Sequence, residues 1–476
     1  MLEKIFKLKE NGTDVKTEVI AGLTTFMKMA YIIALNPNLL TGFTANGGQE
    51  LWNAVFLATC IASAFGTILM AFIANKPFAM SAGMGLNSFF AVVVANIATI
   101  AGVSYLEGFR AGLCIILIEG IVFIILSALN VREKIVQAIP LGVRLGISPA
   151  IGLMLLNIGF GSNAGVYSET GGPFYAMANF FGSLTASYAK ETMGSGYPVM
   201  VLTVITMFAG LFTIVALDHK KVKGSVLYGI LTGSVIYWAG EYFVLHINPF
   251  ASLATASWLP PFKDMATLTL FKFDFNVLKS LGMFTVVTLV LTFCIIDMFD
   301  TIGTLVGTAS RANMLDENGN MPNMKEALLS DACGTVCGAI TGTSTITTFV
   351  ESASGVEAGG RTGLTSLVTG LIFLACMFIS PIAAIIPAAA TSSALIYVGI
   401  LMLQGLKNID FDDISVCVPV FIMLVAMPIS GSIGHGIGLG LIAYTIIKFI
   451  TGKAKEVSPL TLVLSILFLV KFFFAF

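Results

Sequence analysis

Charge is scarce in this chain. Only 11% of its 476 residues are Asp, Glu, Lys or Arg, where a soluble domain carries roughly a quarter. So few charges cannot cover a water-facing surface, which excludes a soluble enzyme, a disordered chain, a coiled coil and a nucleic-acid binder. The net charge of −1 supplies no field to recruit polyanions. Histidine is scarce too. His219, His246 and His435 are scattered, and no HExxH, P-loop or GxSxG pattern occurs, so neither an enzymatic site nor a metal or cofactor is expected. The seven cysteines lie within apolar stretches rather than loop clusters, which excludes a disulfide framework. Cys333 and Cys337 share a helix face with no histidine nearby and read as packing residues.

Apolar residues, by contrast, make up 57% of the chain, the mean hydropathy is +0.93, and there are 48 glycines. This composition fits an all-α polytopic membrane protein whose helices approach closely. The stretch Met1 to Lys16 reads as a short amphipathic helix on the membrane surface, ended by Asn11-Gly12, and not as a cleavable signal. A span needs about 20 mostly apolar residues. Fourteen segments qualify: 18–40, 51–74, 78–100, 107–129, 139–161, 197–217, 224–246, 281–308, 326–342, 343–359, 361–385, 387–405, 412–430 and 432–450. A last apolar stretch, Pro459 to Phe476, is expected at the interface, since an even count returns both ends to one side. With the N-terminus cytoplasmic, most of the 25 Lys and Arg fall on the inner side.

The two halves resemble each other. Ile139-Pro140 opens a span containing Gly-Leu-Met-Leu-Leu, and Ile386-Pro387 opens one containing Gly-Ile-Leu-Met-Leu. Seven spans per half is an odd number, so the second half is inverted. Inverted repeats mark transporters, whose sites lie near the midplane at paired broken helices. Two segments fit that description. Phe78 to Phe90 and Gly342 to Gly355 pack Gly, Ser and Thr into short extended runs. Thr343 to Val350 is rich in β-branched residues and suits a short strand. Half-helices are expected to restart near Ser88 and Ser352, with their positive ends toward a cavity.

Acids inside a membrane are rare and functional by default. Asp297 and Asp300 lie three apart on one face of the eighth span, Glu351 sits where the tenth segment turns helical, and Lys28 lies in the first span. Spans one and eight are repeat equivalents, so Lys28 is expected to approach Asp297 or Asp300. A carboxylate that gains and loses a proton beside a substrate is a coupling device. It also accepts paired N–H donors such as those on purine and pyrimidine edges. Phe89, Phe90 and Phe349 can offer a face to a flat ring. Asp331, Glu357 and Arg361 read as structural, with Arg361 snorkelling to the inner surface.

At these residues the chain resembles the AzgA-like purine permeases, a branch of the nucleobase–cation symporter family that also holds uracil and xanthine permeases. The matching stretches are GLTTFMKMAYIIALNP (22–37), SAGMGLNSFFA (81–91), DMFDTIGTLVG (297–307) and SDACGTVCGAITGTSTITTFVESASGVEAGGRTGLTSLVTG (330–370). The resemblance implies fourteen segments in two inverted sevens. It implies a core domain (18–130 and 281–385) that carries substrate and a gate domain (131–250 and 386–456) through which relatives dimerise. The N-terminal segment 1–17, the outer loop 251–280 and the C-terminal helix 457–476 complete the chain. It also implies that Asn87, Asp300 and Glu351 contact a purine base (adenine, guanine or hypoxanthine); Phe90 and Phe349 are the aromatic residues expected beside it. Proton coupling then falls to Asp300, Glu351, Asp297 and Lys28. Lys28 stands where the resemblance implies a small uncharged residue. The expected activity is proton-driven purine uptake at the cell membrane, with sodium the less favoured ion. An anion transporter of the same fold and a uracil or xanthine permease are the alternatives.

Overall fold

The computed structural model describes residues 2–42, 44–129, 140–163, 196–254, 256–311, 314 and 321–474. The domain boundary expected at 130/131, Ile139, Lys190 and the last two residues fall outside them. The first helix, α1 (Leu2–Phe6), is shorter than expected, because Lys7 takes a left-handed φ of 53° and ends it before Asn11-Gly12. Phe6 and Leu8 are buried against Ala71 and Leu364, so this segment packs onto the helices. Asp14 caps α2 (Val15–Met29) by accepting the Thr17 N–H at 2.9 Å, and that bond holds its carboxyl below the usual carboxylate range. The first span breaks at Ala30-Tyr31 and resumes as α3 (Ile32–Leu40). There follow α4 (Gly48–Leu69), a short strand β1 (Met80–Ala82), α5 (Met84–Ala101) and α6 (Tyr105–Ala128). The half closes with α7 (Leu141–Ile158), α8 (Tyr197–His219) and α9 (Ser225–Phe243).

Two short helices, α10 (Phe262–Leu268) and α11 (Phe275–Ser280), form the connection. The second half repeats the order: α12 (Met283–Arg311), α13 (Met324–Thr341), β2 (Ile346–Thr348), α14 (Ser352–Glu357) and α15 (Gly363–Ala375). After α16 (Ser380–Ala384) come α17 (Ala388–Leu403), α18 (Ile414–Ser430) and α19 (Ile433–Ile450). Last is α20 (Pro459–Phe474), which packs on α19 and α12 and buries Phe468. Among the described residues, ten helical stretches are long and apolar enough to cross a membrane. The expected segments 224–246, 326–342, 343–359 and 412–430 are not among them.

The helices pack in two sets. In one, α4 lies against α13 and α15, α6 against α13, and α2 against α14 and α15. In the other, α7 lies against α17 and α18, and α8 against α9 and α17. Glycines set the closest crossings, and they do so symmetrically. A methyl group at Gly152 of α7 would sit 2.7 Å from the Gly399 carbonyl of α17, and one at Gly399 would sit 2.7 Å from that of Gly152. Only glycine lets backbones cross so closely.

Candidate functional site

β1 and β2 pair antiparallel, with Met80 opposite Thr348, Ser81 opposite Thr347 and Ala82 opposite Ile346. Two more backbone bonds extend the pairing, Gly83 N to Thr345 O at 3.1 Å and Phe349 N to Ala79 O at 3.0 Å. Strands inside an apolar protein need every polar group satisfied. Neighbouring hydroxyls bond further backbone groups. Thr67 on α4 bonds both the N–H and the carbonyl of Met80, and Thr335 on α13 donates to the Ile346 carbonyl at 3.0 Å. Helices α5 and α14 lead away from this crossing. α14 starts at Ser352 as expected, whereas α5 starts at Met84, one turn before Ser88. Gly83 supplies the extended residue that lets it begin there.

The acids gather at this crossing. Asp300, on α12, is partly buried, and its Oδ2 lies 3.6 Å from where a β-carbon on Gly83 would stand. Asp331 and Glu351 both act on it electrostatically. Glu351 stands at the N-cap position of α14 and accepts the Tyr31 hydroxyl at 2.5 Å, at the break in the first span. An acid at the centre of a membrane helix costs about 3 kcal/mol even on lenient scales, so acids gathered around Asp300 need a cause.

The remaining candidates are placed as follows. Asn87 is fully buried one turn into α5; its amide donates to the Ala82 carbonyl at 3.2 Å and its carbonyl accepts from Ser344. It ties the two broken segments together. Phe349 follows β2 and is buried. Phe90 is fully buried edge-on to Phe109 and Phe293, while Phe89 packs on Phe293 at 4.7 Å and faces Gly434 of α19. Asp297 is fully buried, and its Oδ1 lies 3.1 Å from the Thr301 hydroxyl.

Two expectations need correction. Lys28 does not pair with Asp297 or Asp300. It points to the other set of helices and donates to Asp218 of α8 at 2.7 Å and to Ser225 of α9 at 3.2 Å. It also acts electrostatically on Glu351. Arg361 does not snorkel outward, since its guanidinium folds back to donate to the Val356 and Gly360 carbonyls, closing α14.

Sequence reasoning also missed acids. Glu119 is fully buried in α6, where it accepts the Thr345 hydroxyl at 2.8 Å; an acid midway along the apolar run of 111–129 was the available signal. Glu18 is buried at the start of the first span. Its carboxylate accepts the N–H groups of Arg361, Thr362 and Thr365 and the Thr365 hydroxyl, capping α15 from a distant helix. No local pattern announces that partner.

Comparison with known proteins decides the family. The Permease family model matches residues 16–430. The chain belongs to the permease family. The protein is therefore a multi-pass membrane transporter and not an enzyme. This permease is 36% identical over 476 residues to the adenine permease AdeP of Escherichia coli, covering 100% of this chain and 96% of that one. It is 36% identical to the guanine/hypoxanthine permease PbuO of Bacillus subtilis, covering 98% of this chain and 100% of that one. Among solved structures, the permease resembles the transmembrane domain of a cyanobacterium bicarbonate transporter, BicA. The TM-score is 0.61 at 14% identity, over 88% of this chain and 97% of that one. That likeness is one of fold.

Proposed function

We propose that this permease takes up purine nucleobases together with protons. The observation that carries the reading is the placement of Asp300 beside Gly83 and of Glu351 at the head of α14, both at the crossing of the two broken segments, in a chain similar end to end to AdeP and PbuO. Paired carboxylates accept the adjacent N–H donors of a purine edge with good geometry. Asn87 holds the two segments in register, and Phe349 and Phe90 form the aromatic wall. Proton binding at Asp300, Glu351 or Asp297 neutralises the site, and Lys28 acts on Glu351 from the side. Fourteen segments cross the cell membrane with the N-terminus cytoplasmic. The helix set around β1 and β2 is the core that moves, the set around α7 and α17 is the gate, and two copies join through the gate.

Anion transport of the bicarbonate or sulfate kind is disfavoured, because acids at the crossing repel an anion. The test is uptake of labelled adenine and hypoxanthine in cells lacking their own purine permeases, with a competition panel of purines, uracil and xanthine. Accumulation against a gradient, collapsed by a protonophore, supports the proposal. Downhill-only flux, or sulfate transport in its place, contradicts it.

A further inference from the structure

One hydroxyl at the crossing has more partners than protons. Thr301 Oγ1 lies 3.1 Å from Asp297 Oδ1, 2.9 Å from Asp331 Oδ1 and 2.7 Å from Thr347 Oγ1. Asp297, Asp331 and Thr301 have no solvent exposure. A hydroxyl carries one hydrogen and accepts through two lone pairs. It can donate to only one of the two carboxylates. If both acids were ionised, the second contact would be oxygen against charged oxygen, with no hydrogen between and little solvent to screen it. The arrangement closes when one acid carries a proton. That acid donates to Thr301, Thr347 donates to Thr301, and Thr301 donates to the other acid. All three contacts are then hydrogen bonds.

We propose that Asp297 and Asp331 hold one proton between them through the Thr301 hydroxyl, so that Asp331 is a proton-holding residue of the transport cycle. This rests on the proton-coupled reading and deepens it. The proton enters as H⁺ from water, forms an O–H bond on one carboxyl, and leaves as H⁺ on the other side; no other bond changes. The relay touches the substrate crossing from behind. Thr347 lies on β2 opposite Ser81, and Asp300 is one turn along α12 from Asp297. Loss of the proton leaves two like charges around one hydroxyl, which pushes α12 and α13 apart where they flank β2. The titratable neighbours are Asp300 on α12, Glu351 at the head of α14, Cys333 two residues along α13 and Glu119 on α6, which holds Thr345. Lys28 reaches the group through Glu351.

The experiment compares accumulation, counterflow exchange and the pH profile of labelled purine uptake in Asp331→Asn, Thr301→Val and Thr301→Ser, with membrane content measured for each. Asparagine keeps the shape of the acid and cannot release the proton. Asp331→Asn is expected to lose accumulation at least tenfold and to flatten the pH profile, with counterflow falling much less. Thr301→Val is expected to flatten the profile too, and Thr301→Ser to restore it. A wild-type pH profile in Asp331→Asn overturns the proposal, as does equal loss of counterflow and accumulation in protein that still reaches the membrane. If the wild-type chain is itself insensitive to pH and protonophore, the parent reading fails. If only the variants behave like wild type, this inference fails alone.

Discussion

Asp300 and Glu351 face the same crossing but are held differently. Glu351 has the Tyr31 hydroxyl, while Asp300 has like-charged neighbours. Their charges are therefore expected to serve the cargo rather than the fold. Asp300→Asn and Glu351→Gln should each lower purine uptake at least tenfold, roughly 1.4 kcal/mol or more, with membrane content unchanged on immunoblot. Tyr31→Phe removes one hydrogen bond of about 1 kcal/mol. It should raise KM roughly fivefold, measured from initial rates, and leave folding intact. The acids at 297, 300 and 351 were legible in the sequence because an apolar run makes a charge conspicuous. Asp331 was visible but looked like a flank, since burial at a span end is decided by neighbours hundreds of residues away.

At the scale of elements, the strand pair was readable and its edges were not. Gly, Ser and Thr crowding marks Met80–Ala82 and Ile346–Thr348 as broken. Where the helix restarts depends on Gly83 and on the Thr345 carbonyl that receives its N–H, which local propensity does not contain. Thr67 and Thr335 occupy corresponding places in the two halves and bond the two strands from outside. Thr67→Val leaves the Met80 backbone groups without that partner, at a cost of about 1–3 kcal/mol. A lower thermal inactivation temperature in detergent is expected, with Thr67→Ser close to wild type. Glu18→Ala uncaps α15 from outside and should destabilise by a similar amount in the same assay, because several amide donors lose their acceptor together.

For the whole molecule, the decisive contact joins the two helix sets. The repetition of the two halves was legible from the paired Ile-Pro openings, and the reciprocal glycine crossing at Gly152 and Gly399 is what that repetition builds. The Lys28–Asp218 pair, by contrast, links positions 190 residues apart, and no sequence period points to it. If the sets move against each other, that ion pair must break and re-form. Lys28→Asp and Asp218→Lys are each expected to slow uptake severalfold, and the double exchange to recover most of the rate. No recovery in the double variant would make the pair incidental to movement.

The claim that Asp300 and Glu351 together hold a purine is tested most directly by equilibrium binding of labelled adenine and hypoxanthine to the purified protein. Saturable binding by the wild-type chain, undisturbed by sulfate and lost in Asp300→Asn and in Glu351→Gln, is the predicted result. Unchanged affinity in both variants would contradict it.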